Sequence, residues 1–193
     1  MELRCAWVTK DPEYIEYHDK QWGRPVYDAR ELFAKLCLDG QQAGLSWITI
    51  LKRTDSYYRA YADFDPTLIV RFDEQDVERL MQDKGIIRNR LKVQSIIKNA
   101  RAYLALEAQG IDFADYLWGF VGGVPMVNRR QGNGDIPATS PESDAMAKAL
   151  KKLGFTFVGS TICYAFMQAV GMVNDHLVTC PCHAECQQSG TPE

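Results

Sequence analysis

Asp28-Ala-Arg-Glu-Leu-Phe-Ala-Lys-Leu-Cys-Leu-Asp-Gly-Gln-Gln-Ala-Gly-Leu-Ser-Trp-Ile-Thr49 decides the fold class. Asp28 to Glu31 is a capping-box pattern, in which a side-chain acceptor and an acid three residues later satisfy the open N–H groups of a helix start. Leu32, Phe33, Leu36 and Cys37 follow at the spacing of one helix face. The apolar run ends near Gly40 with an acid, Asp39, followed by Gln41, Gln42 and a second glycine, Gly44. A new apolar run then opens with Trp47. A helix end, a glycine-rich corner and an aromatic therefore surround one carboxylate.

The same signals recur outward from this stretch, and no segment shows clean two-residue alternation. The pattern predicts a helix over about 45–61, a start at Asp65-Pro66, and another helix from Asp73 that ends at Gly85. A long amphipathic helix is expected from Arg88 to Ala108, closed by Gly110, and a short one from Ile111 to Phe120. Residues 121–139 are rich in Gly, Pro, Asn and Arg and read as a long loop crossing between two helical lobes. Ser140-Pro-Glu starts a helix to Leu153. Gly154 to Gly159 is a turn, and Ser160 or Thr161 caps a last apolar helix from Ile162 to Val170. The class is all-α, one domain over residues 1–186, with a short polar tail at 187–193 expected to be disordered.

Hydrophobic residues make up 46% of the 193 and charged residues 24%, the balance of a globular protein. No run of eighteen apolar residues is present, so no membrane span is expected. Met1-Glu-Leu-Arg-Cys has no apolar signal core, which predicts a cytoplasmic protein whose six cysteines are thiols or metal ligands, and a monomer is the default expectation. Net charge is −3, but Lys84, Arg88, Arg90, Lys92, Lys98 and Arg101 form a stripe with no acid between them, and Lys148, Lys151 and Lys152 form a second cluster. Phosphates respond to such local patches rather than to net charge.

The histidines and most cysteines lie near the chain ends: Cys5 and His18 at one, His176, Cys180, Cys182, His183 and Cys186 at the other. A Cys2His2 set would hold a structural zinc and pin two otherwise free segments. His176 and Cys180 are four apart and can face one ion from one helical turn. Spacing leaves the choice of four ligands open. No His-Glu-x-x-His pattern indicates a catalytic metal.

Lys151-Lys-Leu-Gly-Phe-Thr-Phe-Val-Gly159-Ser-Thr joins two helices through a glycine-bounded turn. Such a hairpin presents backbone N–H groups and a helix N-terminus to one phosphate. Trp7, Tyr14, Tyr17 and Trp22 stand in a polar segment rather than an apolar run, as rings that line a cavity would. If the ring they stack is cationic, cation–π attraction adds to stacking. Carboxylate, aromatic box, hairpin and basic stripe together describe an enzyme that takes a flipped base from DNA.

These residues resemble the bacterial 3-methyladenine DNA glycosylase I family. The resemblance is carried by C-A-W-V at 5–8, Y-I-E-Y-H-D at 14–19, W-G at 22–23, G-Q-Q-A-G-L-S-W-I-T at 40–49, G-I-I-R-N-R at 85–90, G-F-T-F-V-G-S-T-I-C-Y-A-F-M-Q-A at 154–169 and V-N-D-H at 173–176. It implies a helix-hairpin-helix glycosylase fold, a constitutive role in base excision repair, and release of N3-methylated adenine from alkylated double-stranded DNA. It also implies a structural zinc held by Cys5, His18, His176 and Cys180. The family's base pocket maps onto Trp7, Tyr14, Tyr17, Trp22 and Trp47, with a carboxylate at Asp39. There the chain departs, because the family's usual residue is glutamate, one methylene longer.

From this resemblance a monofunctional mechanism is expected. Asp39 accepts a hydrogen bond from the adenine amine, directly or through water, and Tyr17 helps to position the base. Trp7, Tyr14, Trp22 and Trp47 form the walls. Gln42 and Leu45 plug the gap in the duplex, while Lys151, Gly154, Gly159, Ser160 and Thr161 hold phosphate. No acid occurs from Ser160 to Val173, where related hairpin glycosylases place an aspartate, and no lysine follows the turn to form a Schiff base. Two competing readings are a non-catalytic DNA-binding module, whose aromatic box would be filled core, and a metal or redox sensor built on the cysteine-rich tail.

Overall fold

The computed structural model describes residues 3–188. Its chain is mostly helical, and side-chain caps start most of the helices. Helix α1 (Pro12–Lys20) begins at Asp11, whose carboxylate accepts the Glu13 and Tyr14 N–H groups, with Pro12 at the first helical position. Helix α2 (Ala29–Gln41) starts at Asp28, which accepts the Glu31 N–H at 2.9 Å. Its residues from Leu36 to Gln41 are all buried, so α2 is the axis on which the rest assembles.

Short helices follow: α3 (Trp47–Leu51), α4 (Thr54–Ala60), α5 (Pro66–Ile69) and α6 (Glu74–Met81). The single helix expected over 45–61 is therefore two. Arg53 leaves helical geometry, its guanidinium bonds the Thr49 carbonyl at 2.7 Å, and the Thr54 hydroxyl bonds that of Ile50. Side chains thus satisfy the carbonyls that a continuing backbone would have used. Helix α6 stops at Met81, not Gly85. Gly85 serves a close approach instead, since a Cβ there would lie 2.6 Å from the Ser56 hydroxyl.

Helix α7 (Arg90–Ala108) is capped by Asn89, and α8 (Phe113–Trp118) by Asp112. Helix α9 (Pro141–Lys152) opens with a Ser140–Ser143 capping box. The turn after α9 places Gly154 at φ +99°, and α10 (Ser160–Ala169) follows. The residue at the start of α10 is Gly159, not Ser160 or Thr161, and no side chain caps it. The last helix, α11 (Pro181–Gln188), takes in the cysteine-rich segment and the first two residues of the expected tail. Residues 189–193 of that tail lie outside the described residues.

A strand pair also departs from the expectation of an all-helical chain. Met126–Val127 (β1) pairs in parallel with Val173–Asn174 (β2), in the register Met126 to Val173. Two residues carry no readable alternation, which is why neither was legible. The pair zips the 121–139 segment onto the chain leaving α10. Asp175 completes the join, for its buried carboxylate accepts hydrogen bonds from Asn128, Arg130, Gln168 and Tyr164.

The larger apolar cluster packs α2, α7, α8 and α10 through residues such as Phe33, Leu36, Ile96, Phe113 and Phe166. A smaller one joins Cys5, Tyr17, Trp22, Leu177 and Cys180, so the two chain ends share one core. The basic stripe does not form a single face. Lys92 is buried, and its ammonium bonds the Gln41 and Ala43 carbonyls at 2.8 and 2.6 Å, closing the C-terminus of α2. Arg90 pairs with Glu74 and Glu78.

Candidate active site and metal centre

The end of α2 meets three neighbours. Lys92 holds its last carbonyls, Gly40 lies against the backbone of Phe157 in the turn between α9 and α10, and Gly44 at φ +76° reverses the chain into α3. A Cβ at position 40 would sit 3.0 Å from the Phe157 carbonyl oxygen. Gly40 is thus less a helix stop than a contact point between α2 and the hairpin.

This corner opens on a cleft of about 390 Å³. Trp7, Tyr14, Tyr17, Trp22, Asp39, Gln42 and Trp47 all line it, which brings together the residues expected from the sequence. The rings form a connected wall: Trp7 lies 5.0 Å from Trp22 and 5.1 Å from Tyr14, and Tyr17 lies 5.6 Å from Trp47, between centroids. Asn133 and Ile136 reach the cleft from the 121–139 segment, and Ala165, Gln168 and Ala169 reach it from α10. These five had no sequence signal, because small and polar residues on a loop or an apolar helix do not announce a shared cavity.

Asp39 is 2% exposed. Its Oδ1 accepts a hydrogen bond from the Lys35 ammonium at 3.0 Å, while Oδ2 has no partner. Among the described residues, the buried side-chain polar atoms without a partner are Asp39 Oδ2 and the indole nitrogens of Trp7 and Trp47. All three belong to residues that line the cleft. Each such group costs about 1–3 kcal/mol when left unpaired. Together they offer one acceptor and two donors beside flat apolar walls. Burial pushes the Asp39 carboxyl up, and Lys35 works against that shift. Burial, with the Asp39 charge adding to it, pushes the Tyr17 phenol well above its usual range, so it stays protonated.

The hairpin is placed by Asn99 of α7, whose side chain accepts the Thr156 N–H at 2.8 Å and donates to the Thr156 carbonyl. Lys151, Gly154 and Thr161 are exposed around it. The Ser160 hydroxyl is occupied, bonding Asp144 at 2.5 Å and Ser143 at 2.8 Å, which ties α10 to α9. Helix α10 then runs from the hairpin to the cleft, about 15 Å at 1.5 Å per residue. Leu45, 40% exposed, projects from the loop between α2 and α3 with Gln42 behind it.

Cys5, His18, His176 and Cys180 are buried together, with ligand atoms within 4.8 Å of one another. Cys5 Sγ lies 3.4 Å from His176 Nδ1, and Cys180 Sγ lies 3.7 Å from His18 Nε2 and 3.8 Å from His176 Nδ1. Tetrahedral bonds of zinc to sulfur and nitrogen imply S···N edges of about 3.5 Å, so these donors fit one ion. The other ring nitrogens are already used. His176 Nε2 donates to the Trp22 carbonyl at 2.8 Å, and His18 Nδ1 donates to Asp19 at 2.7 Å, with Arg4 gripping Asp19 from behind. Both imidazoles thus turn an unprotonated nitrogen towards the thiols. The hydrogen bond between the two thiols lowers Cys180, with His176 and His18 aiding, and raises Cys5, so the first thiolate of the pair forms at Cys180. His18, Asp19 and Cys182 form a second close trio that shares His18 with the first. His183 instead donates to the Asn128 carbonyl at 2.7 Å.

Over residues 7–183 the sequence matches the protein family described as methyladenine glycosylase. It is 54% identical over 180 residues to DNA-3-methyladenine glycosylase 1 of Escherichia coli strain K12, covering 93% of this chain and 96% of that protein. A crystal structure of 3-methyladenine DNA glycosylase I superposes with a TM-score of 0.93 at 56% identity, covering 94% of this chain and 100% of that one. A further crystal structure, of a tyrosine-to-phenylalanine variant of 3-methyladenine DNA glycosylase I in complex with 3-methyladenine, has a TM-score of 0.89 at 38% identity. It covers 92% of this chain and 96% of that one.

Proposed function

Because this chain belongs to the 3-methyladenine DNA glycosylase I family, we propose that it excises 3-methyladenine from alkylated double-stranded DNA, flipping the lesion into the aromatic cleft and hydrolysing its glycosidic bond. The observation that carries this reading is the set of unpaired buried groups, Asp39 Oδ2 and two indole N–H groups, on one aromatic cleft.

Methylation at N3 makes the adenine cationic, so the bond from the sugar to N9 is weakened before the enzyme acts. That bond breaks with both electrons going to the ring, which leaves as a neutral base. Water adds its oxygen to the sugar carbon and releases a proton. The protein therefore selects and holds the lesion rather than activating the leaving group. Trp7, Tyr14, Trp22 and Trp47 supply stacking faces, at about 1–3 kcal/mol per stacked base. Cation–π attraction favours the charged lesion over an unmodified base. Asp39 accepts a hydrogen bond from the exocyclic amine, and the protonated Tyr17 phenol orients the ring.

Leu45 and Gln42 fill the gap left in the duplex. The uncapped N–H groups of α10, Gly154, Gly159, Thr161 and Lys151 hold a phosphate without reading sequence. Ser160, bonded to Asp144, acts there through its backbone. No lysine follows the hairpin turn in the sequence, where a Schiff-base step would need one, so the enzyme acts as a monofunctional glycosylase. The metal is zinc, one per chain. Cys5, His18, His176 and Cys180 would complete its tetrahedron, which assigns it a structural role in joining the chain ends. Residues 1–186 form one glycosylase domain of two helical lobes, working as a cytoplasmic monomer in base excision repair.

The test is release of 3-methyladenine from methylated duplex DNA by folded, zinc-loaded protein. Release above the uncatalysed rate is expected. Its absence overturns the reading.

A further inference from the structure

Tyr17 and Trp47 line two cavities, the base cleft and a larger one of about 690 Å³ on the far side of the same wall. Asp39 lines only the first and Lys35 only the second. The two side chains nevertheless meet, because they stand four apart on α2 and so share a helix face. The Lys35 ammonium lies 3.0 Å from Asp39 Oδ1, 3.3 Å from the centroid of a Trp47 ring and 5.3 Å from that of Tyr17. Three side chains assigned to the base therefore converge on one cation.

That arrangement is costly for a purely structural role. An ammonium is largely withdrawn from water, and a long flexible stem is fixed in one geometry. An apolar side chain of equal length would fill the same space. What lysine adds is a donor and a charge, and both fall on Asp39 and Trp47, two residues that line the base cleft.

We propose that Lys35 is a positioning residue for base recognition. It clamps Asp39 Oδ1 so that Oδ2 remains the open acceptor, and it places a donor and a positive charge beside the carboxylate that the lesion meets. The proposal rests on the glycosylase reading for its ligand, but the clamp itself is testable without it. The groups facing Asp39 are Lys35 on its own helix, Tyr17 on α1 and Cys163 on α10. Burial raises both the phenol and the thiol, the latter to about 12, so neither carries charge near neutrality. Lys35 is left as the group that opposes the rise that burial imposes on Asp39, while burial lowers the Lys35 ammonium and Asp39 opposes that in turn. Without it, Asp39 protonates at higher pH, its hydroxyl becomes a donor, and an acceptor for the amine is lost.

The experiment uses full-length, zinc-loaded protein and three variants. Lys35→Met removes donor and charge while keeping length, Lys35→Gln keeps a donor without charge, and Lys35→Arg keeps both. Carboxyl-carbon NMR follows Asp39 through a pH titration, and release of 3-methyladenine from methylated DNA is measured over the same range. In Lys35→Met and Lys35→Gln the Asp39 midpoint is expected to rise by about one pH unit or more. The acid limb of the release rate should rise with it, and Lys35→Arg should restore both. An unchanged Asp39 midpoint in the two uncharged variants overturns the proposal, as does a shifted midpoint with an unmoved acid limb. Wild-type protein that releases no base overturns the glycosylase reading instead, while the Asp39 titration still decides the clamp.

Discussion

The two oxygens of Asp39 have different fates. Oδ1 is bonded to Lys35 and Oδ2 is buried without a partner. A shorter carboxylate anchored on its own helix has little freedom to seek a ligand, so the lesion must come to Oδ2. Asp39→Asn is expected to weaken binding of free 3-methyladenine by about 1.5–3 kcal/mol, the range for hydrogen bonds to charged groups. Asp39→Glu should keep or improve it. Quenching of tryptophan fluorescence reads both, and unchanged binding in Asp39→Asn would remove this residue from base recognition. Performing the first change in a Lys35→Met background avoids leaving a buried ammonium unpaired. The sequence marked Asp39 as the acid at the corner and the aromatic residues as its walls. Lys35 escaped notice because a lysine on an amphipathic helix is ordinarily solvated, and only the packing of Trp47 over it shows otherwise.

At the scale of elements, α10 joins the hairpin proposed to hold phosphate to the cleft proposed to hold the base. Its first turn lies at the hairpin and its last turn lines the cleft. Lys151→Ala should therefore weaken binding to DNA of any sequence and lower the salt dependence by about one charge. Affinity for the free base should not change. A loss of free-base affinity would show that Lys151 does not act at the backbone. The far end of α10 is fixed by Gly171, at φ +76°, where a Cβ would lie 2.5 Å from the Pro25 nitrogen and 2.6 Å from the Arg24 carbonyl carbon. Neither neighbour is a flexible tip. Gly171→Ala should cost about 1–3 kcal/mol of stability, measured by denaturant unfolding. A neutral result would mean that the 24–25 backbone yields freely. The helices themselves were legible wherever a cap preceded a periodic run, as at Asp28, Asp73 and Ser140. The break between α3 and α4 was not legible, because Arg53 and Thr54 end the helix with side-chain bonds that propensity does not register.

At the scale of the molecule, the Cys/His cluster and the aromatic cleft share walls. Trp22 lines the cleft, and its carbonyl accepts the hydrogen bond that orients His176. Trp7 packs edge-on against His18 at 5.2 Å. Cys180→Ser should release one equivalent of zinc per chain and lower thermal stability, and it should also weaken base binding through the loosened aromatic wall. Metal analysis with thermal unfolding checks the first effect, and fluorescence titration checks the second. A fully loaded variant would reassign the ligand. Replacing Cys182 and Cys186 together by serine should leave base release unchanged, whereas a sensor built on the cysteine-rich tail would lose its function.

Local chemistry was enough for the sequence by itself to determine the helical class, most helix starts, the aromatic and acidic composition of the base cleft and the metal-binding residue types at the two chain ends. Caps act within four residues, and helical periodicity repeats within one turn. The resemblance to a known family then narrowed the ligand set to Cys5, His18, His176 and Cys180, the four that the fold brings together. Only the tertiary structure decided the relations that depend on separations along the chain. These include the strand pair that ties residue 126 to residue 173, Lys92 turned inward to close α2, Gln168 in the cleft under the hold of Asp175, and Lys35 behind Trp47. In the last three cases a polar or charged side chain lies where its own neighbours in sequence would leave it in water. The partner that buries it comes from elsewhere in the chain or, for the Lys35–Asp39 pair, the surface that encloses it does.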